Sequence, residues 1–233
     1  MKYQHNYVIM SNLIAKGTSL HNLEQNINLD LPILVQWLQT NRLSLNLTKK
    51  HIMLFGKGGN SNINVNIEGV PINIVKETKF LGILLDNRLT WKSHTAYISK
   101  KIAKSIGILS RARKLLNRET LRQLYFAFLY PYLNYCLIIW GNAPATTTFP
   151  IFKLQKRALR IVFNLKGRDS TQVACRNSKL LRLPELYTLS VLTFMYKFKN
   201  HLLPVIFNNF YQENSSFHRY PTRQSANLRN PRT

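Results

Sequence analysis

Phosphoryl-transfer chemistry needs clustered carboxylates, and this sequence has few. Asp30, Asp86 and Asp169 are its three aspartates, and six glutamates are scattered between Glu24 and Glu213. A two-metal site gathers carboxylates around ions about 3.5–4 Å apart, and no pair here has the spacing for one. The histidines His5, His21, His51, His94, His201 and His218 form no HxH or HExxH set, so each reads as an ordinary surface or hydrogen-bonded histidine. Gly56-Lys57-Gly58-Gly59 lacks the trailing Lys-Ser/Thr of a phosphate loop and reads as a hairpin turn. Cys136 and Cys175 are too few for a disulfide framework or a zinc site and read as thiols in a reducing compartment. No small-molecule site is evident.

Binding chemistry is better supplied. Lys100, Lys104, Arg111, Lys114 and Arg118 recur at steps of four, seven, three and four, a basic stripe along a helix. Lys153, Lys156, Arg157 and Arg160 form a second cluster at helical spacing. Lys and Arg so arranged can follow a phosphate backbone, with binding that weakens steeply in salt. A solvated helix face is the bland alternative, and an anionic membrane surface is another. The formal net charge of +24, from 33 Lys and Arg against nine Asp and Glu, favours nucleic acid, an RNA or an RNA–DNA duplex.

The elements that must position these cations follow from periodicity. At 45% hydrophobic the chain can bury a sizeable core and is not a low-hydrophobicity disordered chain. Ser19 caps a helix over 19–40 with Leu20, Leu23, Ile27, Leu31, Leu34 and Leu38 on one face; Pro32 bends or breaks it, and Trp37 fills core beside it. Short strands follow at Leu43–Leu47, Ile52–Phe55, Ile63–Ile67, Ile72–Val75 and Phe80–Leu85, a small antiparallel sheet. From Trp91 the chain is helical, with Ile98, Ile102, Ile106, Leu109 and Leu116 inward. Glu119 or Thr120 opens a second long helix reaching Trp140. Leu124–Trp140 is short of the roughly 20 residues that span a bilayer and contains Pro131 and Asn134, so it reads as a buried helix bent at the proline, not a transmembrane one. Residues 141–150 read as a loop, Phe152–Leu165 as a helix, and Leu180–Leu202 as another, interrupted at Pro184. No apolar run follows Lys2, so no signal peptide is expected.

In combination, several segments resemble non-LTR, jockey-like retrotransposon reverse transcriptases. Trp37 to Lys50 followed by Ile52-Met53-Leu54-Phe55 is similar to the segment that ends their palm, with Lys50 in place of the usual Thr. Phe80-Leu81-Gly82-Ile83-Leu84-Leu85-Asp86, then Leu89-Thr90-Trp91 and His94, resembles their primer-grip strand pair. Tyr130 to Tyr135, Trp140-Gly141 and Leu154 to Ile161 resemble the thumb and the segment after it, and Tyr220-Pro221-Thr222-Arg223 the tail of such reading frames.

The resemblance implies an α+β fold, a truncated palm remnant followed by a mostly α-helical thumb. It implies a partial palm with primer-grip strands over 1–90 and a helical thumb and extension over 91–212; after Gln212 the composition shifts to Arg219, Arg223, Arg229 and Arg232 among Pro, Ser, Asn and Thr, which reads as a basic, flexible tail over 213–233. It implies primer-grip-like roles for Phe80, Leu81 and Gly82, and makes Lys49 a candidate palm lysine that neutralises departing pyrophosphate. In the family a Tyr/Phe-Ala-Asp-Asp box precedes a Ser/Thr-Asn-Leu segment; here Ser11-Asn12-Leu13 fits the follower, and Ile9 and Met10 stand where the paired aspartates belong. The intact family uses Mg²⁺, a hard cation that needs oxygen ligands; Ile and Met offer none, so no cofactor is expected. The expectation is an intracellular (nuclear or cytoplasmic), catalytically inactive polymerase fragment that keeps a nucleic-acid-binding surface. A non-catalytic nucleic-acid-binding module, or a protein that associates through an exposed sheet edge, is the alternative.

Overall fold

Ser19 starts the first helix: its hydroxyl accepts a hydrogen bond from the Asn22 amide at 3.1 Å, satisfying one of the donors a helix start leaves open. In the computed structural model, which describes residues 13–43, 45, 50–56, 63–216, 220, 223 and 227–229, that helix, α1, spans Leu20–Thr40. Pro32 lies inside it and does not end it. The chain divides into two compact units, Met1–Tyr97 and Ile98–Thr233.

In the first unit, Ile27 and Leu31 of α1 pack with Leu54, Ile63, Val65 and Ile67 in one apolar cluster. The opposite face of the helix is also apolar, and there the expectation for Trp37 fails. Trp37 is 52% exposed, beside Leu29 at 70% and Ile33 at 68%. The three follow one another at steps of four, the spacing of one helix face, so they share the side turned away from that cluster.

The strands are short and pair two by two: β1 (His51–Ile52), β2 (Asn66–Ile67), β3 (Val70–Pro71), β4 (Asn73–Ile74), β5 (Glu77–Phe80) and β6 (Ile83–Asp86). β2 with β3 and β5 with β6 are antiparallel hairpins. β1 pairs with β4 in parallel, so the strands do not join into the single antiparallel sheet expected of them. The class is α+β, as the periodicity and the resemblance implied. Both hairpins turn on two residues with positive φ, Glu68-Gly69 (50° and 79°) and Leu81-Gly82 (45° and 86°). Such turns match the right-handed twist of the strands, and glycine enters them without strain.

In the second unit α2 (Lys92–Ala112), whose first turns belong to the first unit, turns Ile98, Ile102, Ile106 and Leu109 into the core. It ends sooner than expected, and Leu116 is 39% exposed. The stretch to Trp140 is not one bent helix. It is α3 (Arg118–Phe128), α4 (Tyr130–Asn134) and α5 (Leu137–Trp140). Pro131 stands in the first turn of α4, where its missing N–H costs nothing. Cys136, left-handed at φ 49°, separates α4 from α5. α6 (Ala145–Val162) absorbs half of the expected loop and carries Pro150 inside it. α7 (Thr171–Asn177) was not foreseen. Pro184 opens α8 (Leu183–Lys199) where an interruption was expected. Near the C-terminus β7 (Gln212–Glu213) pairs antiparallel with β8 (Leu228–Arg229). No helix among the described residues is long and apolar enough to cross a membrane.

Two contacts set how these helices meet. A side chain at Gly141 would stand 2.4 Å from the Tyr187 ring of α8, so only glycine lets α8 lie this close to the end of α5. Gln155, fully buried on α6, spends its amide on three neighbours. Its Nε2 donates to the Tyr125 hydroxyl of α3 at 3.0 Å and to the Leu181 carbonyl at 3.2 Å. Its Oε1 accepts from the Leu183 amide at the start of α8 at 2.7 Å. Replacing Gln155 with Leu keeps the volume and orphans all three partners. We expect a loss of about 1–3 kcal/mol, read as a lower urea midpoint with an unchanged slope; an unchanged midpoint would show that the amide does not hold the helices together.

Candidate nucleic-acid interface

The β5–β6 hairpin carries Phe80, Leu81 and Gly82 at its tip. Leu81 is 63% exposed and left-handed at φ 45°, a conformation that costs a branched side chain energy. The hairpin is bound to the start of α2. The Leu84 amide donates to His94 Nδ1 at 3.3 Å, and the Ser93 hydroxyl donates to the Glu77 carboxylate. Burial holds the His94 imidazole below its ordinary pKa. Asp86 builds the turn between hairpin and helix. Its carboxylate accepts from the amides of Arg88 (3.1 Å), Thr90 (3.0 Å) and Trp91 (3.0 Å) and from the Thr90 hydroxyl (3.2 Å).

The expected basic stripe is split by the fold. Lys100, Lys104 and Arg111 lie on one exposed face of α2, across the helix from Ile98, Ile102 and Leu109. Arg111 falls in the last turn, where the helix dipole also favours a cation. α2 then ends at Ala112, because Asn117 caps a new helix by accepting from the Thr120 amide at 2.9 Å. Lys114 therefore sits in the intervening turn, exposed, and Arg118 is the first residue of α3. Arg118 is occupied within the protein: its guanidinium lies 4.7 Å from the centre of the Phe163 ring and donates to the Ser178 hydroxyl at 3.1 Å. Among the described residues the side chains of Lys100, Lys104, Arg111 and Lys114 have no hydrogen-bonded or ionic partner.

The second cluster is mostly committed. Lys153 lies over the Phe149 ring at 4.9 Å and Lys156 over the Phe152 ring at 4.7 Å, each one turn back along α6. Arg160 donates to the carbonyls of Asp169 (2.9 Å) and Lys166, closing the loop before α7. Arg157 is exposed and unpaired among the described residues. The charge is uneven too. Ile98–Thr233 holds 23 Lys and Arg against four Asp and Glu, net +19; Met1–Tyr97 holds ten against five, net +5.

The described carboxylates do not fit a magnesium pair. Asp30 is exposed on α1, Asp86 is spent on the turn, and Asp169 accepts from the Lys166 amide at 2.6 Å. Among the described residues no three His, Cys, Asp or Glu side chains come together as a metal site. Ile9, Met10 and Lys49 lie outside the described residues.

The chain is similar to proteins of transposable elements, two of them named as probable RNA-directed DNA polymerases. The chain is 30% identical over 131 residues, 54% of its length, to the probable RNA-directed DNA polymerase from transposon X-element of Drosophila melanogaster. It is 31% identical over 104 residues, 42% of its length, to that from transposon BS of the same fly. It is 24% identical over 125 residues to the retrovirus-related Pol polyprotein from type-1 retrotransposable element R1 4 of Nasonia vitripennis. The matches cover 14%, 11% and 31% of those three proteins. No family model matches, and no solved structure does.

Burial alone would raise the Asp86 pKa, but three amide donors and a hydroxyl outweigh it and hold the carboxyl below the ordinary range. The unfolded chain then takes up the proton more readily than the folded one. The stabilisation is complete above the unfolded value, about 3.9, and is lost as pH falls through the lower folded value. Asp86→Asn should therefore melt below the wild type near pH 7, with the gap closing below about pH 4. A gap that stays constant across that range in thermal melts would contradict the role given to the carboxylate.

Proposed function

We propose that the chain is a fragment of a retrotransposon RNA-directed DNA polymerase that does not polymerise DNA by itself and that binds an RNA–DNA or RNA duplex through the α2 face. The observation that carries the reading is the exposed, unpaired set Lys100, Lys104 and Arg111 in a unit of net charge +19. The similarity to polymerases named for copying RNA into DNA supports the choice of polyanion. Late palm and primer grip for the first unit, and thumb for the second, are the assignments that follow from the resemblance. In that alignment Ile9 and Met10 occupy the places of the metal-binding aspartates, and neither has an oxygen to offer. The role is intracellular, where such duplexes arise.

Primer extension on an RNA template, with Mg²⁺ or Mn²⁺, should yield no product; template-dependent synthesis by the pure chain would overturn the inactive half of the proposal. Binding is tested separately. Affinity for an RNA–DNA duplex should fall by orders of magnitude between 50 and 200 mM salt, as it does for proteins that neutralise several phosphates. The double variant Lys104→Glu/Arg111→Glu should weaken binding and flatten the salt slope by roughly 1–2. Salt-independent binding, or none at low ionic strength, removes the binding half.

A second reading is a partner-binding protein, supported by the exposed Leu29, Ile33 and Trp37 on α1 and the two-stranded sheets beside it. It gains if light scattering shows a stable dimer that ignores nucleic acid.

A further inference from the structure

Helix α2 carries a glycine that the protein's own packing does not require. Gly107 lies in the interior of the helix and is exposed. A Cβ built there would meet nothing within 4 Å, so no neighbouring element excludes a side chain. Its φ is not positive either, so the backbone does not demand glycine. Glycine is the poorest helix former after proline, and alanine here would favour the helix. Its position is informative. Lys100, Lys104, Gly107 and Arg111 follow one another at steps of four, three and four and share one exposed face. At a rise of about 1.5 Å per residue the three cations span roughly 16 Å of helix. The bare stretch of main chain falls between them.

Glycine in such a place permits close approach of a ligand to the backbone. The ligand is anionic, because the groups beside the gap are unpaired cations. No aromatic residue lies between Lys100 and Arg111, and the ring of Tyr97, one turn before Lys100, is half-buried with the Lys79 ammonium 5.4 Å from its centre, so the stretch around Gly107 offers no ring on which bases could stack. That favours a paired nucleic acid, presenting phosphates and sugars, over a single strand. We propose that Gly107 is the contact point at which the sugar–phosphate backbone of a duplex lies directly against the α2 main chain, clamped by Lys100 and Lys104 on one side and Arg111 on the other. This deepens the duplex-binding reading and rests on it.

The test uses the full chain, a 20-base-pair RNA–DNA hybrid and a single-stranded RNA of the same length. Gly107→Ala and Gly107→Leu leave every cation in place. Both should fold, the alanine variant melting about 2–4 °C higher than wild type. Both should bind the hybrid more weakly, roughly tenfold for Ala and more for Leu, as the added side chain holds the phosphates off. The wild type should bind the hybrid more tightly than the single strand. If both variants bind the hybrid as the wild type does, while the wild type keeps its steep salt dependence, the close approach is wrong and the basic-face reading stands. Equal or tighter binding of the single strand overturns the duplex assignment. If the wild type binds neither probe at low salt, both the contact and the reading beneath it fail.

Discussion

The second unit depends on a buried amide. Gln155 is a polar side chain with no access to water, and it is tolerable only because each of its polar atoms is matched. The match constrains three elements at once: the hydroxyl of Tyr125 on α3, the carbonyl of Leu181 and the first amide of α8. Apolar packing alone lets a helix rotate or slide by small amounts at little cost; three directional bonds do not. With α6 held in one rotation, Ile151, Ala158, Leu159 and Val162 face inward and Lys153 and Arg157 face out. Burial and the low dielectric around it also push the Tyr125 hydroxyl well above its ordinary pKa, so it stays protonated at any physiological pH and accepts as a neutral group.

Much of this was legible from residue order, and the failures have physical causes. α1 and α2 announced themselves through apolar residues at helical spacing, and the Ser19 cap sat where its residue type said. Phe80–Leu85 was expected as one strand, but Leu81 and Gly82, both at positive φ, turn the chain there and split it between β5 and β6. The run from Arg118 to Trp140 was misread because apolar and aromatic residues continue through it without a break. The first break falls at Leu129, just ahead of Pro131 in the first turn of α4; the second is a left-handed Cys136, and cysteine carries no signal for that conformation. Pro150 suggested a loop, yet it stands in the second turn of α6, where it withholds one backbone donor without ending the helix. Gln155 was invisible for the opposite reason: a lone glutamine in a basic helix looks like surface until its partners, 26 to 30 residues away, are brought to it.

The candidate interface shows the same limit. Spacing identified the cations but not their employment. Arg118 and Arg160 are held by Ser178 and by backbone carbonyls, and Lys153 and Lys156 cover the phenylalanines one turn behind them. A cation already satisfied by its own chain has less to gain from a phosphate. The useful distinction is between the α2 face, where the cations are idle, and α6, where most are in use. It depends on neighbours that lie far off in sequence, such as Ser178 for Arg118, and on how each side chain is turned.

The uneven charge has a consequence for the fold as well as for binding. A unit with net +19 pays for its compactness in mutual repulsion among its cations, a strain that counterions relieve. Added salt therefore acts on this half of the molecule in two opposed directions: it screens the repulsion and steadies the helices, while it competes for the surface that would hold a polyanion. A bound nucleic acid would serve as both ligand and counterion. The folded state of this half is thus coupled to its occupancy, whereas the first unit, at +5, carries a weaker form of the same dependence.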